Sequence, residues 1–360
     1  MSHRYTCIGV SNYSFNNGII ALREKVCLNA IKARIIRILK LLFLVSVPIV
    51  AIWNLFIALV LILFANFKNI KKNLFGKLPL DVPKKSSVGP YTKIYKREDK
   101  KLYKIDIYYP ATGQAPFPVV IFAHGGGWIS GFRNQPNNIS WYRFLNYHGF
   151  AVATMDYRYG YRYHIRDIMK DYSDAVSYIQ QNAKRFGLNP DQVILMGLSA
   201  GGHLSLLYAT YFSKMDQKEK LRGINAVVAW YSPADLLDIW DMEVASLFAR
   251  FSTLTVVKEF PKKNRRSYEY FSPISWVSNR MIPTMLVHGL QDTIVPAKSS
   301  VKMFKKLREH GVQSKLKLHP TGGHCFEFEL KDNFTKKILL QTVKFMKEHL
   351  CENVCLNENA

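Results

Sequence analysis

The chain has too few cysteines to form the frameworks that hold small secreted or metal-bound domains together. It contains five in 360 residues, an odd number scattered over both ends: Cys7, Cys27, Cys325, Cys351 and Cys355. This spacing gives neither a disulfide pattern nor a set of metal ligands. We therefore expect no bound metal ion and a core that does not depend on disulfide bonds.

Acidic residues are also scarce, since 26 Asp and Glu stand against 50 Lys and Arg, for a net charge of +24. Residues 1–100 hold 17 basic and 4 acidic side chains, which is more than half of the excess. No zinc finger, helix-turn-helix signature or RNA-binding aromatic motif is present, so we expect no nucleic-acid partner. Because the excess lies beside a long apolar run, anionic membrane lipids are the expected partner.

That apolar run, residues 41–67, has no charged side chain. A membrane-spanning helix needs about 20 such residues, and a cleaved signal peptide has a shorter apolar region nearer the first residue. The run predicts one N-terminal transmembrane helix, a single-pass anchor of the signal-anchor type. A buried core helix and a re-entrant hairpin around Pro48 or Trp53 are the alternatives. Six cations flank each end, so the positive-inside rule favours neither orientation.

The segments around the anchor differ in composition. Residues 1–40 are polar and basic, and their second half has the pattern of an amphipathic helix that lies on lipid or extends the anchor. Residues 68–90 contain Pro, Lys and Ser and predict a linker. A folded domain over 91–350 and a short tail over 351–360 complete the predicted organisation.

Within 91–350, strand-like and helix-like patterns alternate. This predicts an α/β fold with a mostly parallel central sheet and helices on both faces. Residues 235–280 lack the alternation and combine large apolar side chains with a basic cluster at 258–266. They form either a packed helical insert with a solvated basic edge or a lid whose apolar inner face binds an acyl or prenyl group.

A candidate nucleophile lies in Gly197-Leu-Ser-Ala-Gly201, between the apolar run 192–196 and the helical stretch 202–211. A strand, a sharp turn and a helix expose a serine hydroxyl in this way, with small neighbours that leave room for the strained turn. The motif alone is also compatible with an ordinary glycine-flanked turn. Ser199 is therefore the candidate nucleophile only if partners accompany it.

A second motif, His124-Gly-Gly-Gly-Trp128, follows the strand-like residues 117–123. Consecutive glycines let backbone N–H groups approach a developing oxyanion closely. A flexible loop or a dinucleotide turn is the alternative, but no G-x-G-x-x-G spacing follows, so we expect no cofactor. The predicted oxyanion donors are the N–H groups of Gly126, Gly127 and Ala200, and the predicted pocket-lining side chains are Trp128 and Phe132.

Two further residues complete the set of candidate catalytic side chains. Asp292 follows the apolar strand 283–287, and His324 follows the strand-like residues 314–318. A carboxylate that orients an imidazole, with the imidazole taking the serine proton, is the arrangement that nucleophilic acyl transfer requires. The order Ser199, Asp292, His324 is also that of one large hydrolase fold.

With these motifs, residues of about 90–350 resemble the α/β-hydrolase superfamily. The resembling branch contains hormone-sensitive-lipase-type carboxylesterases, BD-FAE proteins and prenylcysteine methylesterases. The matching residues are His124–Trp128, Asp156–Arg158, Ser199–Leu204, Asp292 and His324. Lipase-like members usually carry Asp before the nucleophile, whereas this chain has Leu198, which favours the BD-FAE and methylesterase groups.

The resemblance implies a serine carboxylesterase that needs no cofactor and acts on an apolar or lipid-like ester. Two alternatives remain open at this point. One is a membrane-bound prenylcysteine methylesterase. The other is a catalytically inactive binding module, because the fold also hosts proteins that have lost catalysis. Such proteins usually lack one of the three catalytic side chains, and all three are present here.

Overall fold

The computed structural model of the chain describes residues 32, 34–46, 75–98, 100–242, 244 and 246–357, with side chains up to residue 350. It divides into two compact units, Met1–Lys71 and Lys72–Ala360. In the first unit, residues 34–46 are helical. The remainder of the predicted anchor, 47–67, lies outside the described residues. Among the helices that are described, none is both long enough and apolar enough to cross a bilayer.

The second unit is built on an eight-stranded sheet within the described residues, in the order β1-β2-β4-β3-β5-β6-β7-β8. The strands are β1 Ser87–Glu98, β2 Lys101–Pro110, β3 Phe117–Ala123, β4 Ala151–Met155, β5 Leu188–Leu198, β6 Ile224–Trp230, β7 Thr284–Gly289 and β8 Ser314–His319. Strand β2 runs antiparallel to β1 and β4, and the remaining pairs are parallel. The prediction of a mostly parallel sheet is confirmed.

Helices cover both faces of this sheet, as its residue pattern requires. They are α1 Pro136–Tyr147, α2 Ile165–Asn182, α3 Ala200–Lys214, α4 Lys218–Leu221, α5 Leu247–Val257, α6 Arg265–Tyr270, α7 Lys298–Glu309 and α8 Asn333–Asn357. Along β3, Val119 and Ile121 join one buried cluster, whereas Val120 and Phe122 join the other. Because the strand is apolar on both sides, it needs a helical layer on each face.

The parallel register brings several strand ends to one edge. Ala123 pairs with Gly197 and Leu198 pairs with Trp230, while Gly289 pairs with His319 on the far side. The loops after β3, β5, β6, β7 and β8 therefore leave the sheet at the same edge. In open α/β sheets this edge is where ligands bind.

In two parts of the unit, the structure differs from the sequence prediction or adds detail to it. Strand β1 begins at Ser87, inside the segment 68–90 that was predicted as a linker. It is an edge strand with mostly exposed side chains, so it lacks the alternation that reveals a half-buried strand. Within 235–280, the described residues form α5 and α6 between the short 3₁₀ turns Leu236–Trp240 and Pro273–Trp276.

Candidate active site

Ser199 occupies the sharp turn between β5 and α3. Its backbone has φ 51° and ψ −117°, a region that a residue with a Cβ rarely adopts. The Ser199 N–H donates to the Trp230 carbonyl at 2.8 Å, and the Ser199 carbonyl accepts from the His203 N–H at 3.0 Å. The neighbouring strand and the following helix therefore hold the strained residue from both sides.

This turn requires glycine on both sides of the serine. A Cβ on Gly201 would lie 2.1 Å from the Ala123 carbonyl oxygen. A Cβ on Gly197 would lie 2.2 Å from the carbonyl carbon of Gly201. Both distances are too short for any side chain, so the G-x-S-x-G pattern has a steric cause here.

The structure brings the three predicted catalytic side chains into one chain of contacts. His324 Nε2 lies 3.0 Å from Ser199 Oγ, and His324 Nδ1 lies 2.7 Å from Asp292 Oδ2. These residues are separated by up to 125 positions in the sequence. With an N–H at Nδ1 donating to Asp292, the imidazole presents Nε2 as an acceptor for the serine proton.

The carboxylate of Asp292 is buried, and both of its oxygens have hydrogen-bond partners. Its Oδ1 accepts from the N–H groups of Ile294 and Val295, at 2.8 and 3.0 Å. Burial alone would raise its pKa, but the charges and hydrogen bonds of His324 and His288 hold that pKa well below the usual range. Asp292 therefore stays ionised, which keeps the His324 imidazole oriented.

His288 is the contact that the sequence interpretation missed. It is completely buried, with Nδ1 2.7 Å from Ser300 Oγ and Nε2 2.9 Å from the Val295 carbonyl. The same Nε2 is 3.2 Å from Asp292 Oδ2. The one feature of the sequence that could have indicated this contact is the spacing of four residues between His288 and Asp292, across the end of β7.

The glycine loop after β3 is held in a tight turn. Gly126 has φ 119°, and its carbonyl accepts from the N–H groups of Ile129 and Ser130, at 3.2 and 3.0 Å. A Cβ on Gly126 would lie 2.1 Å from the Ser130 carbonyl oxygen. The second glycine of the triplet therefore cannot be replaced without moving the loop.

The predicted oxyanion donors are free to bind a substrate oxygen. Among the described residues, the N–H groups of Gly126, Gly127 and Ala200 donate to no backbone carbonyl. The loop passes beside the nucleophile, because a Cβ on Gly125 would lie 3.6 Å from the Ser199 Cβ. The Ala200 N–H also begins α3, so the positive end of that helix faces the same region.

His124 supports the loop and takes no part in the contacts of Ser199. Its Nδ1 is 2.8 Å from the Gly125 carbonyl, and the Tyr157 hydroxyl donates to the His124 carbonyl at 2.8 Å. The two rings stack with centroids 4.2 Å apart. Burial lowers the pKa of His124 to about 4, so its imidazole is neutral at pH 7.

The predicted pocket residues need one correction. Trp128 is only 2% exposed and packs edge-on against His203, at 5.0 Å between ring centroids, so it belongs to the core. Its φ of 60° turns the side chain inward, which residue spacing could not reveal. Phe132 is 39% exposed, further along the same loop.

Phe248, which belongs to the insert predicted as either a packed helical segment or a lid, contacts the glycine loop. A Cβ on Gly127 would be 3.0 Å from Phe248 Cζ, so α5 rests directly on the glycine loop. The outward side of α5 is apolar, with Leu247, Phe248 and Phe251 exposed by 62%, 47% and 61%. An ordinary surface helix would present polar side chains there.

The site carries no recognisable metal centre. Within the part of the chain that is described, no group of three His, Cys, Asp or Glu side chains has the geometry to hold an ion. The side chains and backbone groups of the site can supply nucleophilic attack by a hydroxyl, proton transfer through an imidazole, and stabilisation of an oxyanion.

Curated sequences with similarity to the chain include esterases. It is 27% identical over 245 residues to a probable isoprenylcysteine alpha-carbonyl methylesterase of Arabidopsis thaliana, covering 63% of this chain and 49% of the relative. It is 28% identical over 219 residues to the esterase LipC of Mycobacterium tuberculosis, covering 59% and 54%. The chain thus spans about half the length of the curated relatives it matches.

Solved structures share the fold. A truncated carbohydrate esterase from gut microbiota superposes with a TM-score of 0.61 at 19% identity, covering 75% of this chain and all of that one. An esterase from Thermogutta terrifontis gives 0.57 at 21% identity, covering 71% and 90%. The family model named BD-FAE matches residues 105–307, more than half of the sequence. The chain therefore belongs to the BD-FAE family and has the α/β-hydrolase fold.

Proposed function

We propose that this protein is a serine carboxylesterase that forms an acyl-enzyme on Ser199. The observation that carries the proposal is the unbroken contact from Asp292 through His324 to Ser199, at 2.7 and 3.0 Å. Family membership and relatives named as esterases support the same reaction class. A serine with only a structural role would not need a buried carboxylate and an imidazole aligned with its hydroxyl.

In the first half of the reaction, Ser199 Oγ attacks the ester carbonyl carbon while its proton moves to His324 Nε2. The carbonyl oxygen becomes an oxyanion, and the N–H groups of Gly126, Gly127 and Ala200 stabilise it. His324 then returns the proton to the departing alkoxide, which leaves as an alcohol. The acyl group remains bound to Ser199 as an ester.

In the second half, water takes the place of the alcohol. His324 Nε2 accepts a proton from the water as its oxygen attacks the acyl carbonyl, and the same backbone donors hold the second oxyanion. Collapse of this intermediate returns the proton to Ser199 and releases a carboxylic acid. Asp292 keeps the imidazole in one tautomer and stabilises its positive charge in both halves.

The substrate class that we propose is an ester with a long apolar group. The apolar outward side of α5, defined by Leu247, Phe248 and Phe251, begins beside the glycine loop that would receive the carbonyl oxygen. An acyl or alcohol chain leaving that position can remove these exposed side chains from water. A relative named as an isoprenylcysteine methylesterase makes a prenylcysteine methyl ester the second candidate substrate.

We further propose that residues 41–67 anchor the enzyme in a membrane as a single-pass helix. Their 27 uncharged residues and the cations on both sides support this location. An apolar substrate dissolves in the same bilayer, so the anchor would hold the enzyme where its substrate concentrates. Protection of this segment from protease in vesicles, compared with the digested flanks, tests the proposal; cleavage within it would contradict it.

A fluorophosphonate probe, which reacts with activated serines, distinguishes the esterase from an inactive binding module. We expect the full chain to be labelled and Ser199→Ala to be unlabelled. Ser275→Ala, which removes an exposed serine elsewhere in the unit, is the control and should label as the wild type does. Equal labelling of the wild type and Ser199→Ala would reject the proposed nucleophile.

Substrate comparison separates the two ester classes. Hydrolysis of p-nitrophenyl acetate, a long-chain p-nitrophenyl ester and farnesylcysteine methyl ester is measured on the full chain. Preference for the long acyl chain supports a general carboxylesterase, whereas preference for the farnesylcysteine ester supports a methylesterase. Hydrolysis of the acetate alone would refute the apolar substrate class, and no hydrolysis of any ester would refute the enzyme.

A further inference from the structure

A buried tyrosine packs against the imidazole of His324, which makes the two hydrogen bonds described above. The ring centroids of Tyr231 and His324 are 4.7 Å apart, with planes inclined by 60°. Tyr231 follows the last residue of β6, and its N–H donates to the Val287 carbonyl of β7 at 2.6 Å. Its backbone is thus fixed to the sheet at the edge where the site is built.

The hydroxyl of Tyr231 is anchored by a second buried group. It donates to Glu327 Oε1 at 2.5 Å, and the indole N–H of Trp141 reaches the same oxygen at 3.4 Å. Tyr231 and Glu327 are both fully buried. Burial and the neighbouring Cys325 and Glu327 raise the pKa of Tyr231 well above its usual value, so the phenol keeps its proton and remains a donor.

A carboxyl group is expensive to bury unless it is hydrogen-bonded, and Glu327 accepts from both Tyr231 and Trp141. It lies three residues after His324, in the 3₁₀ turn Phe326–Phe328. The Tyr231–Glu327 hydrogen bond therefore joins the end of β6 to the turn that follows the catalytic histidine in the sequence. The Tyr231 ring, held by this hydrogen bond, packs against the His324 ring and so limits its movement.

We propose that Glu327, acting through Tyr231, is a positioning residue that holds the His324 imidazole between Asp292 and Ser199. The inference rests on the proposed esterase mechanism and extends it to a second carboxyl group. Removing the hydrogen bond lets the phenol ring and the imidazole shift together. A displacement of a fraction of an ångström at Nε2 slows proton transfer without changing how substrate binds.

The test uses Tyr231→Phe, which keeps the ring and removes the donor, together with Glu327→Leu and Glu327→Gln. We expect Tyr231→Phe and Glu327→Leu each to lower kcat about 10-fold with little change in KM. The double variant should lose no more, because the two residues act as a unit. Glu327→Gln should keep most of the activity, because its amide oxygen can accept the same hydrogen bond.

Tyr208→Phe is the matched control, since this fully buried tyrosine donates to the Lys220 carbonyl at 2.8 Å and has no ring contact with His324. A second measurement is the low-field proton resonance of His324 Nδ1–H bound to Asp292. It should shift or broaden in Tyr231→Phe and Glu327→Leu and stay unchanged in Tyr208→Phe. Resonance and kcat in Tyr231→Phe equal to those of the control would overturn the inference.

The two proposals fail in different ways. A wild-type chain that hydrolyses no ester defeats the esterase proposal, whereas the resonance still reports whether Tyr231 and Glu327 hold the imidazole. If Glu327→Leu does not fold, as judged by circular dichroism, Tyr231→Phe decides the result alone. An unchanged resonance with lowered kcat would also count against positioning, because the imidazole would then be held as before.

Discussion

Asp292 Oδ2 lies between two imidazoles, 2.7 Å from His324 Nδ1 and 3.2 Å from His288 Nε2. Since its other oxygen accepts two backbone N–H groups, the carboxylate cannot rotate without breaking several hydrogen bonds. His288 is in turn held by Ser300. The orientation of the imidazole that meets Ser199 is therefore fixed through a buried network and not by one hydrogen bond.

Replacing this carboxylate tests the network directly. Asp292→Asn keeps the shape but presents an amide that cannot stabilise an imidazolium, so we expect kcat to fall about 10³- to 10⁴-fold. Asp332→Asn is the control, because Asp332 also faces a histidine, His319, at 3.4 Å but outside the site. Steady-state hydrolysis of a soluble ester measures both. Loss of less than tenfold in Asp292→Asn would place the carboxylate outside the mechanism.

The glycine loop gives a second prediction, with a control of similar backbone conformation. Gly126→Ala would place a Cβ 2.1 Å from the Ser130 carbonyl oxygen, so the loop must move. We expect a loss in kcat of about 100-fold, the usual effect of losing an oxyanion donor. Gly149 has φ 93° but no atom within 4 Å of a Cβ, so Gly149→Ala carries backbone strain alone. Similar kcat in the two variants would show that the loop position does not matter.

The local parts of the site could be predicted from the sequence because each is set by short-range sterics. Ser199 needs small neighbours, and Gly126 needs a positive φ, so both leave a visible pattern. Contacts between segments that are distant in the sequence leave no such pattern. The sequence left open whether the insert that holds Phe248 is a packed segment or a lid, and it did not show that Phe248 contacts the glycine loop. The burial of Trp128 against His203 could not be predicted either.

The same limit on prediction from the sequence applies to the strands of the sheet. Strands β3 to β7 have buried runs long enough to be seen, whereas β1 is an exposed edge strand held by its antiparallel pairing with β2. The role of His288 beside Asp292 could not be predicted from its position in the sequence. Its contact with Asp292 depends on the turn after β7, which folds the chain back so that residues four apart face each other.

Side chains on α5 should set the preference for chain length. Phe248→Ala removes the ring that contacts Gly127, so we expect kcat/KM for a long-chain p-nitrophenyl ester to fall about 10-fold relative to that for the acetate, in keeping with the apolar surface lost. Leu340→Ala, which removes a side chain of similar exposure (49%) from α8, is the control. Equal losses on both esters would show that α5 does not bind the acyl chain.

Two buried neutral histidines should make the folded unit sensitive to mild acid. His124 and His203 are fully buried, the latter with Nε2 2.7 Å from the Phe271 carbonyl, and burial lowers both pKa values to about 4. In the unfolded chain a histidine titrates near ~6.5, so below that pH the unfolded state binds protons that the folded state does not. The free energy of unfolding should therefore be constant above pH ~6.5 and fall by up to about 3 kcal/mol per histidine towards pH ~4.

Urea unfolding of the full chain between pH 7.5 and 4.5, a range of about three units around the reference histidine pKa, measures this slope. In His203→Gln the unfolded state should bind about one proton fewer over this range, so the slope should be shallower than in the wild type. Asp292 cannot account for the effect. Its pKa is lowered on folding, so its contribution is present above the unfolded value of ~3.9 and is lost only below it. A free energy of unfolding that stays level down to pH 4.5 would mean that one or both imidazoles accept a proton without leaving the core.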